Sequence, residues 1–345
     1  MIRQIIRSVT AGALYAAAGI WLAGCGMVND DLQPCTVSYN MKFVYDYNML
    51  YADAFPSSNV PVYVWGFDAD GNLAWSGSDT HEALSKSGFS MPIDIEPGTY
   101  EFVAWCGLVQ DDPFRLATYI PASKEELEVT LTTMKGSDGI SYSDTDLPPL
   151  YHGYIEPTEF ISNPVGNVRQ DVTMHLMKDT KTVRVMLQHL DGSPIEQRDF
   201  STVIMDNNSH LAWNNDVLPA SEFEYRPWFV NYGQVVMPGS RGSRATTSVA
   251  TLLFELTTSR LMADHDAVLA IHRNWDDRDV VRIPLIDYLL LVKGHYNERM
   301  SDQEYLDRMD EFNIVFFIDR NSNWYTASGI LINNWTVVPP QNEGI

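Results

Sequence analysis

From residue 37 onward the chain is written in short alternating runs closed by turn residues, a pattern that restricts it to β-sheet architecture. Residues 37–45 alternate apolar and polar side chains, the period of a strand with one buried face. Residues 60–67 form an aromatic and β-branched run that Asp68-Ala69-Asp70-Gly71-Asn72 turns into Leu73-Ala74-Trp75. Asp-Gly between such runs signals a hairpin, because the left-handed backbone costs glycine little. The remaining loop ligands of an EF-hand are missing, so the five residues read as a turn and not a calcium loop. Residues 89–95 lead through Pro97-Gly98 to a strong strand over 100–106. Ser123 with Glu126 is expected to cap one helical turn, and 136–149, rich in Gly, Ser, Asp and Pro, reads as a loop. Strand character resumes over 180–190 and ends at Asp191-Gly192.

The second half predicts strands near 201–206, 234–237, 250–257, 268–272, 313–320 and 324–338. Residues 239–244 read as a small solvated basic loop. Two helices interrupt the pattern: one over 284–292, where Pro284 suits the first turn, and one over 301–311 behind a Ser301/Glu304 capping box. Neither can span a bilayer. Many short strands and few helices predict a mainly β chain. Its length exceeds what one sandwich core takes, so two tandem β-sandwich domains are expected, 35–178 and 179–345, with the boundary near Lys178.

The first 24 residues follow a different plan. Arg3 and Arg7 precede an apolar, Ala- and Gly-rich run over 9–22, and no acid appears before Asp30. That order of charge, apolar core and small residues is a secretory signal, and the run is short for a membrane span. Leu22-Ala23-Gly24-Cys25 resembles the lipobox cut by bacterial lipoprotein signal peptidase. Residues 1–24 are therefore expected to be removed, and the Cys25 sulfur to carry the lipid at the head of a 25–34 linker. The Asn29-Asp30-Asp31 patch resembles the export signal of surface lipoproteins of Bacteroidetes. The expected residence is the outer membrane, reached through the lipid.

Cleavage removes two arginines and no acid, taking the formal charge from -22 to -24. So acidic a chain repels phosphate backbones, which argues against nucleic acid as a partner and against electrostatic docking on anionic lipid. Of the three cysteines, Cys35 and Cys106 remain after lipidation. In an oxidising compartment a single disulfide between them is expected, the alternative being one core thiol and one exposed thiol.

No catalytic signature is present: no Cys-x-x-Cys, His-Glu-x-x-His, Gly-x-Ser-x-Gly or P-loop. His265 and His272 are seven apart, too far for a paired helical zinc site. Asp111-Asp112 and Asp276-Asp277 sit in expected turns, and such pairs arise by chance among 45 acids. The expectation is a non-enzyme with no catalytic residue, metal or cofactor. Tyrosines and tryptophans fall mostly at inward strand positions, so core packing is expected, with a glycan-binding platform as the alternative.

Several blocks resemble the FimB/Mfa2 family of fimbrial anchor and assembly proteins of Bacteroidetes. They are Tyr45-Asp46-Tyr47-Asn48-Met49 with Tyr51-Ala52-Asp53-Ala54-Phe55, and Val62-Tyr63-Val64-Trp65-Gly66-Phe67-Asp68 with Asp70-Gly71. Pro97-Gly98-Thr99-Tyr100, leading to Ala104-Trp105-Cys106-Gly107-Leu108, is another. In the second half they are Phe254-Glu255-Leu256-Thr257-Thr258-Ser259-Arg260-Leu261, Ile283-Pro284-Leu285-Ile286-Asp287-Tyr288, residues 296–305 and Ile330-Leu331-Ile332-Asn333-Asn334-Trp335. The Trp65-Gly66 pair departs from the family's usual Tyr-Val-Phe-Asp order. The resemblance implies two transthyretin-like sandwiches on an outer-membrane lipoprotein that holds a fimbria and limits its length. The implied partner is a fimbrial shaft subunit, which donates a strand to an exposed sheet edge. A tip or accessory subunit is the alternative role.

Overall fold

Alternation along the chain becomes four sheets in the computed structural model, which describes residues 37–55, 60–79, 90–109, 111–162, 166–237, 247–296, 298–326 and 329–337. The first sheet runs in the order β3 (Leu73–Asp79), β2 (Val62–Asp68), β5 (Gly98–Cys106), β10 (Tyr151–Phe160), β11 (Val168–Lys178), β1 (Val37–Val44), β4 (Met91–Ile93). Its two edges come close: a Cβ added to Gly77 of β3 would lie 3.2 Å from Met91 Sδ of β4. The sheet thus curls around an apolar core that includes Met41, Val64, Phe102, Phe160 and Leu176.

Strand β5 is buried on both faces. Phe102, Ala104 and Cys106 enter that core, while Val103 and Trp105 join a larger one shared with the second half. This explains the unbroken apolar run over 102–106, the pattern of a strand covered on both sides. At its end Gly107 has φ +97°, and an added Cβ would sit 2.1 Å from the Pro149 carbonyl oxygen. Only glycine fits there.

A second sheet has the order β16 (Phe229–Met237), β17 (Thr247–Thr258), β12 (Lys181–His189), β20 (Glu311–Ile318), β21 (Ile330–Ile332), β22 (Trp335–Val337), with β12 and β20 parallel. A third has the order β19 (Arg278–Pro284), β18 (Val268–Arg273), β13 (Phe200–Asp206), β15 (Phe223–Tyr225), β9 (Ser141–Ser143), β8 (Met134–Lys135). Alternate residues of both fill the larger core: Val183, Val185 and Leu187 from one, Phe200, Ile204 and Ile283 from the other. Helices α1 (Leu285–Leu290) and α2 (Asp302–Arg308) add Leu285, Leu289, Tyr305 and Leu306. A small sheet joins β14 (His210–Leu211), β7 (Val129–Leu131) and β6 (Phe114–Leu116).

The expected mainly β fold with two short helices is what forms. Contacts gather Ser38–Ile161 and Gln170–Ile345 into one unit, and Met1–Val37 with Ser162–Arg169 into another, of which residues 37, 162 and 166–169 are described. Within the large unit strands pair across the expected boundary. Glu224 and Tyr225 of β15 run parallel to Tyr142 and Ser143 of β9, and β14 pairs with β7.

Local expectations fare unevenly. Ser301 accepts the Glu304 N–H at 3.0 Å, the N-cap half of the expected box, while the Glu304 carboxylate accepts from Arg308 at 2.7 Å. Ser123 makes no side-chain cap to the 3-10 turn Lys124–Glu126; instead Glu126 accepts the Ala122 N–H at 2.9 Å. The expected 136–149 loop contains β9. The run over 324–338 breaks into a hairpin, because Asn333 and Asn334 take φ +47° and +71°, the backbone of a two-residue strand turn.

Candidate functional site

The residues singled out for chemistry do not converge. Cys25, the Asn29-Asp30-Asp31 patch, Cys35 and the 239–244 basic loop lie outside the described residues. Cys106 closes β5 in full burial, which pushes its thiol pKa up. His265 faces Asp206 at 3.3 Å, and His272 stands 3.1 Å from both Asp277 and Asp279. Among the described residues no three His, Cys, Asp or Glu side chains are placed to hold a metal ion. Asp276 is bound by Arg273 through two hydrogen bonds, and Asp111 occupies a turn at φ +74°. Glu101 lines a cavity of about 310 Å³, but its carboxylate accepts from Lys124 at 2.7 and 2.8 Å and from Tyr154 at 2.6 Å.

Two of the sequence blocks, 45–55 and 254–261, meet at one junction instead. The segment after β1 is locked by its own side chains. Asp53 accepts the N–H groups of Tyr45 and Phe55, and Asn48 donates to the Tyr45 and Ala52 carbonyls. So held, it reaches the second half. Tyr45 donates to Asp310 at 2.6 Å, and the Arg308 guanidinium lies 4.0 Å from the Tyr47 ring and 4.6 Å from the Tyr51 ring. A cation between two aromatic faces is attracted by both ring quadrupoles.

Beneath this clamp, Arg260 binds Asp307 of α2 in bidentate fashion at 2.9 and 2.8 Å and donates to the Asn215 carbonyl. Lys181, fully buried at the start of β12, donates to the Asp307 carbonyl at 2.6 Å. Asn215 donates to Asp179 at 2.7 Å. Burial raises the pKa of Asp179 against the pull of Arg260, Asn215 and Lys181, and burial lowers that of Lys181. Asp179 and Asp307 are converging buried acids, but both are enclosed and Arg260 holds both Asp307 oxygens. The arrangement can pin α2, β12 and the loop after β14 together.

The surface feature of consequence is a sheet edge. Strand β16 pairs with β17 in unbroken register from Phe229↔Glu255 to Met237↔Thr247; among the described residues no strand pairs with its other edge, and the 3-10 turn Gln197–Asp199 is a near neighbour of the strand. Trp228, Phe229 and Tyr232 are 36%, 39% and 39% exposed. The sequence reading placed a strand only over 234–237. Aromatics at both Trp228 and Phe229 hide the alternation, and the uncharged run over 228–237 was the available signal.

The family model of fimbrillin-A associated anchor proteins Mfa1 and Mfa2 matches residues 32–339. No curated protein sequence matches significantly. An adhesin candidate from Bacteroides thetaiotaomicron is similar, with 29% identity, a TM-score of 0.76, and coverage of 89% of this chain and 99% of that one. A candidate polysaccharide-binding protein from the same organism has 27% identity and a TM-score of 0.73, over 89% of this chain and 100% of that one. The fimbrial anchor protein Mfa2 from Porphyromonas gingivalis shares the fold at 16% identity, with a TM-score of 0.62 over 88% of this chain and 99% of that one.

Proposed function

This chain belongs to the family of fimbrillin-A associated anchor proteins Mfa1 and Mfa2, and from that premise we propose that it is an outer-membrane lipoprotein that anchors a fimbria and limits its length. The observation that carries the reading is the placement of the family match, which begins at residue 32, a few residues beyond the lipobox cysteine Cys25. A lipid at Cys25 would therefore sit on a short tether at the head of the fimbria-associated body. Acyl chains contribute about 0.8 kcal/mol per buried CH₂, and more than one chain makes the attachment stable. Among the described residues no helix is long and apolar enough to cross a membrane; in this reading the lipid supplies the hold.

The family is one of structural, fimbria-associated proteins, and the proposed role requires no catalytic step. Contact with the shaft is by main-chain pairing: a subunit adds an extended segment to an open sheet edge, which gives affinity without a preformed cleft. Cys106 is a free, buried thiol in this structure; its pairing with Cys35 in the exported chain is a separate proposal, checked by the mass of the non-reduced protein.

Deleting the gene and measuring fimbriae by electron microscopy tests the reading. Long fimbriae, many of them in the medium, are the expected result. Fimbriae of unchanged length and attachment would contradict it.

A further inference from the structure

A sheet edge exposes a row of unpaired N–H and C=O groups, and proteins guard such edges with charges, proline, bulges or very short strands. Among the described residues nearly every edge carries such a guard. Strand β19 has Arg278, Asp279, Arg282 and Pro284 and an irregular register at Ile271/His272. Strand β4 is three residues long with Pro92 at its centre, and β3, irregular at Gly66/Phe67, lies against it. Strands β22, β8, β14 and β6 have two or three residues each.

Strand β16 has none of these devices. Its nine residues, Phe-Val-Asn-Tyr-Gly-Gln-Val-Val-Met, carry no charge in a chain of net charge -22. It contains no proline and no bulge. Tyr232 lies opposite the buried Leu252, on the side of the sheet that faces the core, and is nevertheless 39% exposed. The lip of the sandwich is therefore open there. A Cβ added to Gly233 would meet nothing within 4 Å.

We propose that the free edge of β16 is the docking site for an extended, uncharged segment of a fimbrial subunit, which adds a strand beside β16 and covers Tyr232. The proposal rests on the anchor reading above and specifies its contact. The occupant follows from the edge's own chemistry. Main-chain pairing over nine residues, about 30 Å of strand, selects an extended polypeptide. The absence of charge along β16 selects a segment that brings none into the seam, where an unpaired charge would be desolvated. The open space at Gly233 accepts a bulky apolar side chain from the neighbouring strand, as edge glycines do when an aromatic residue covers them. The family's association with fimbrillin gives the class of partner.

The test uses the full-length mature chain immobilised on a sensor, with fimbriae sheared from the same bacterium as the probe. The variants are Asn231→Lys and Tyr232→Lys, each placing a charge on an exposed position of the edge. Wild type should bind, and each variant should bind at least about tenfold more weakly, the loss expected when a central contact of an interface is removed, with an unchanged thermal midpoint. Binding of both variants at wild-type strength would overturn the β16 assignment and leave the anchor reading standing. No binding by wild type would overturn the anchor reading itself. A wild-type dimer in sedimentation that both variants dissolve, with fimbrial binding unaltered, would make a second copy of this chain the occupant and overturn the proposal.

Discussion

Arg260→Ala should lower the unfolding free energy by about 3–5 kcal/mol, the range for removing one partner of a buried ion pair. Its guanidinium is nearly buried, binds both carboxylate oxygens of Asp307 and holds the Asn215 carbonyl. Alanine leaves the Asp307 carboxylate with Gln303 as its remaining side-chain donor, at 2.9 Å. It also strips Asp179 of a compensating charge. Arg260→Met combined with Asp307→Leu should recover much of the loss, because well-packed apolar groups replace a buried pair at little cost. Urea denaturation midpoints measure both. A loss below about 1 kcal/mol for Arg260→Ala, the scale of an exposed pair, would show that the junction is not the pin described.

Acid should weaken the fold through His152. The ring is fully buried against Trp105, 4.7 Å between centroids, and its Nε2 lies 2.7 Å from the Trp213 carbonyl, where the neutral tautomer donates. Burial depresses its pKa to about 4, with the Trp213 hydrogen bond acting against the shift and Arg260 adding to it. The unfolded chain has the ordinary histidine pKa near 6.5 and so binds more protons than the folded chain between those two values. Stability therefore rises with pH across that window and falls as pH is lowered. The loss between pH 6.5 and pH 5 should be about 1.6 kcal/mol, a little under the limiting 1.36 kcal/mol per pH unit because the unfolded histidine is only half protonated at pH 6.5. His152→Phe should remove that slope from the pH dependence of the denaturation midpoint. Wild type and variant falling in parallel would assign the acid loss to other groups.

What the sequence disclosed follows the range of the forces involved. Strand β12 was legible because its alternation is local: Val183, Val185 and Leu187 face the core while Arg184 and Gln188 face out. The turn at Asp68 was legible because its carboxylate binds the Asp70 and Asn72 N–H groups two and four residues on. Strand β9 was hidden because Ser-Tyr-Ser has little strand character of its own. It exists because β15, about eighty residues later in sequence, lies beside it. The junction was hidden for the same reason, since Arg260 and Asp307 are 47 positions apart. The blocks that carried the family resemblance gave the Tyr47 and Tyr51 pair without its partner. Arg308 shows why those tyrosines stand four apart, with Tyr51 held at φ +51° so that both rings reach one guanidinium.

The anchoring claim is most directly tested in cells whose only copy of the protein carries Cys25→Ala, by measuring the ratio of fimbriae released into the medium to fimbriae on the cell. A lipid-held anchor predicts that ratio at the level of the deletion strain, with wild-type complementation returning fimbriae to the surface. Full retention of fimbriae by Cys25→Ala cells, at wild-type length, would contradict it.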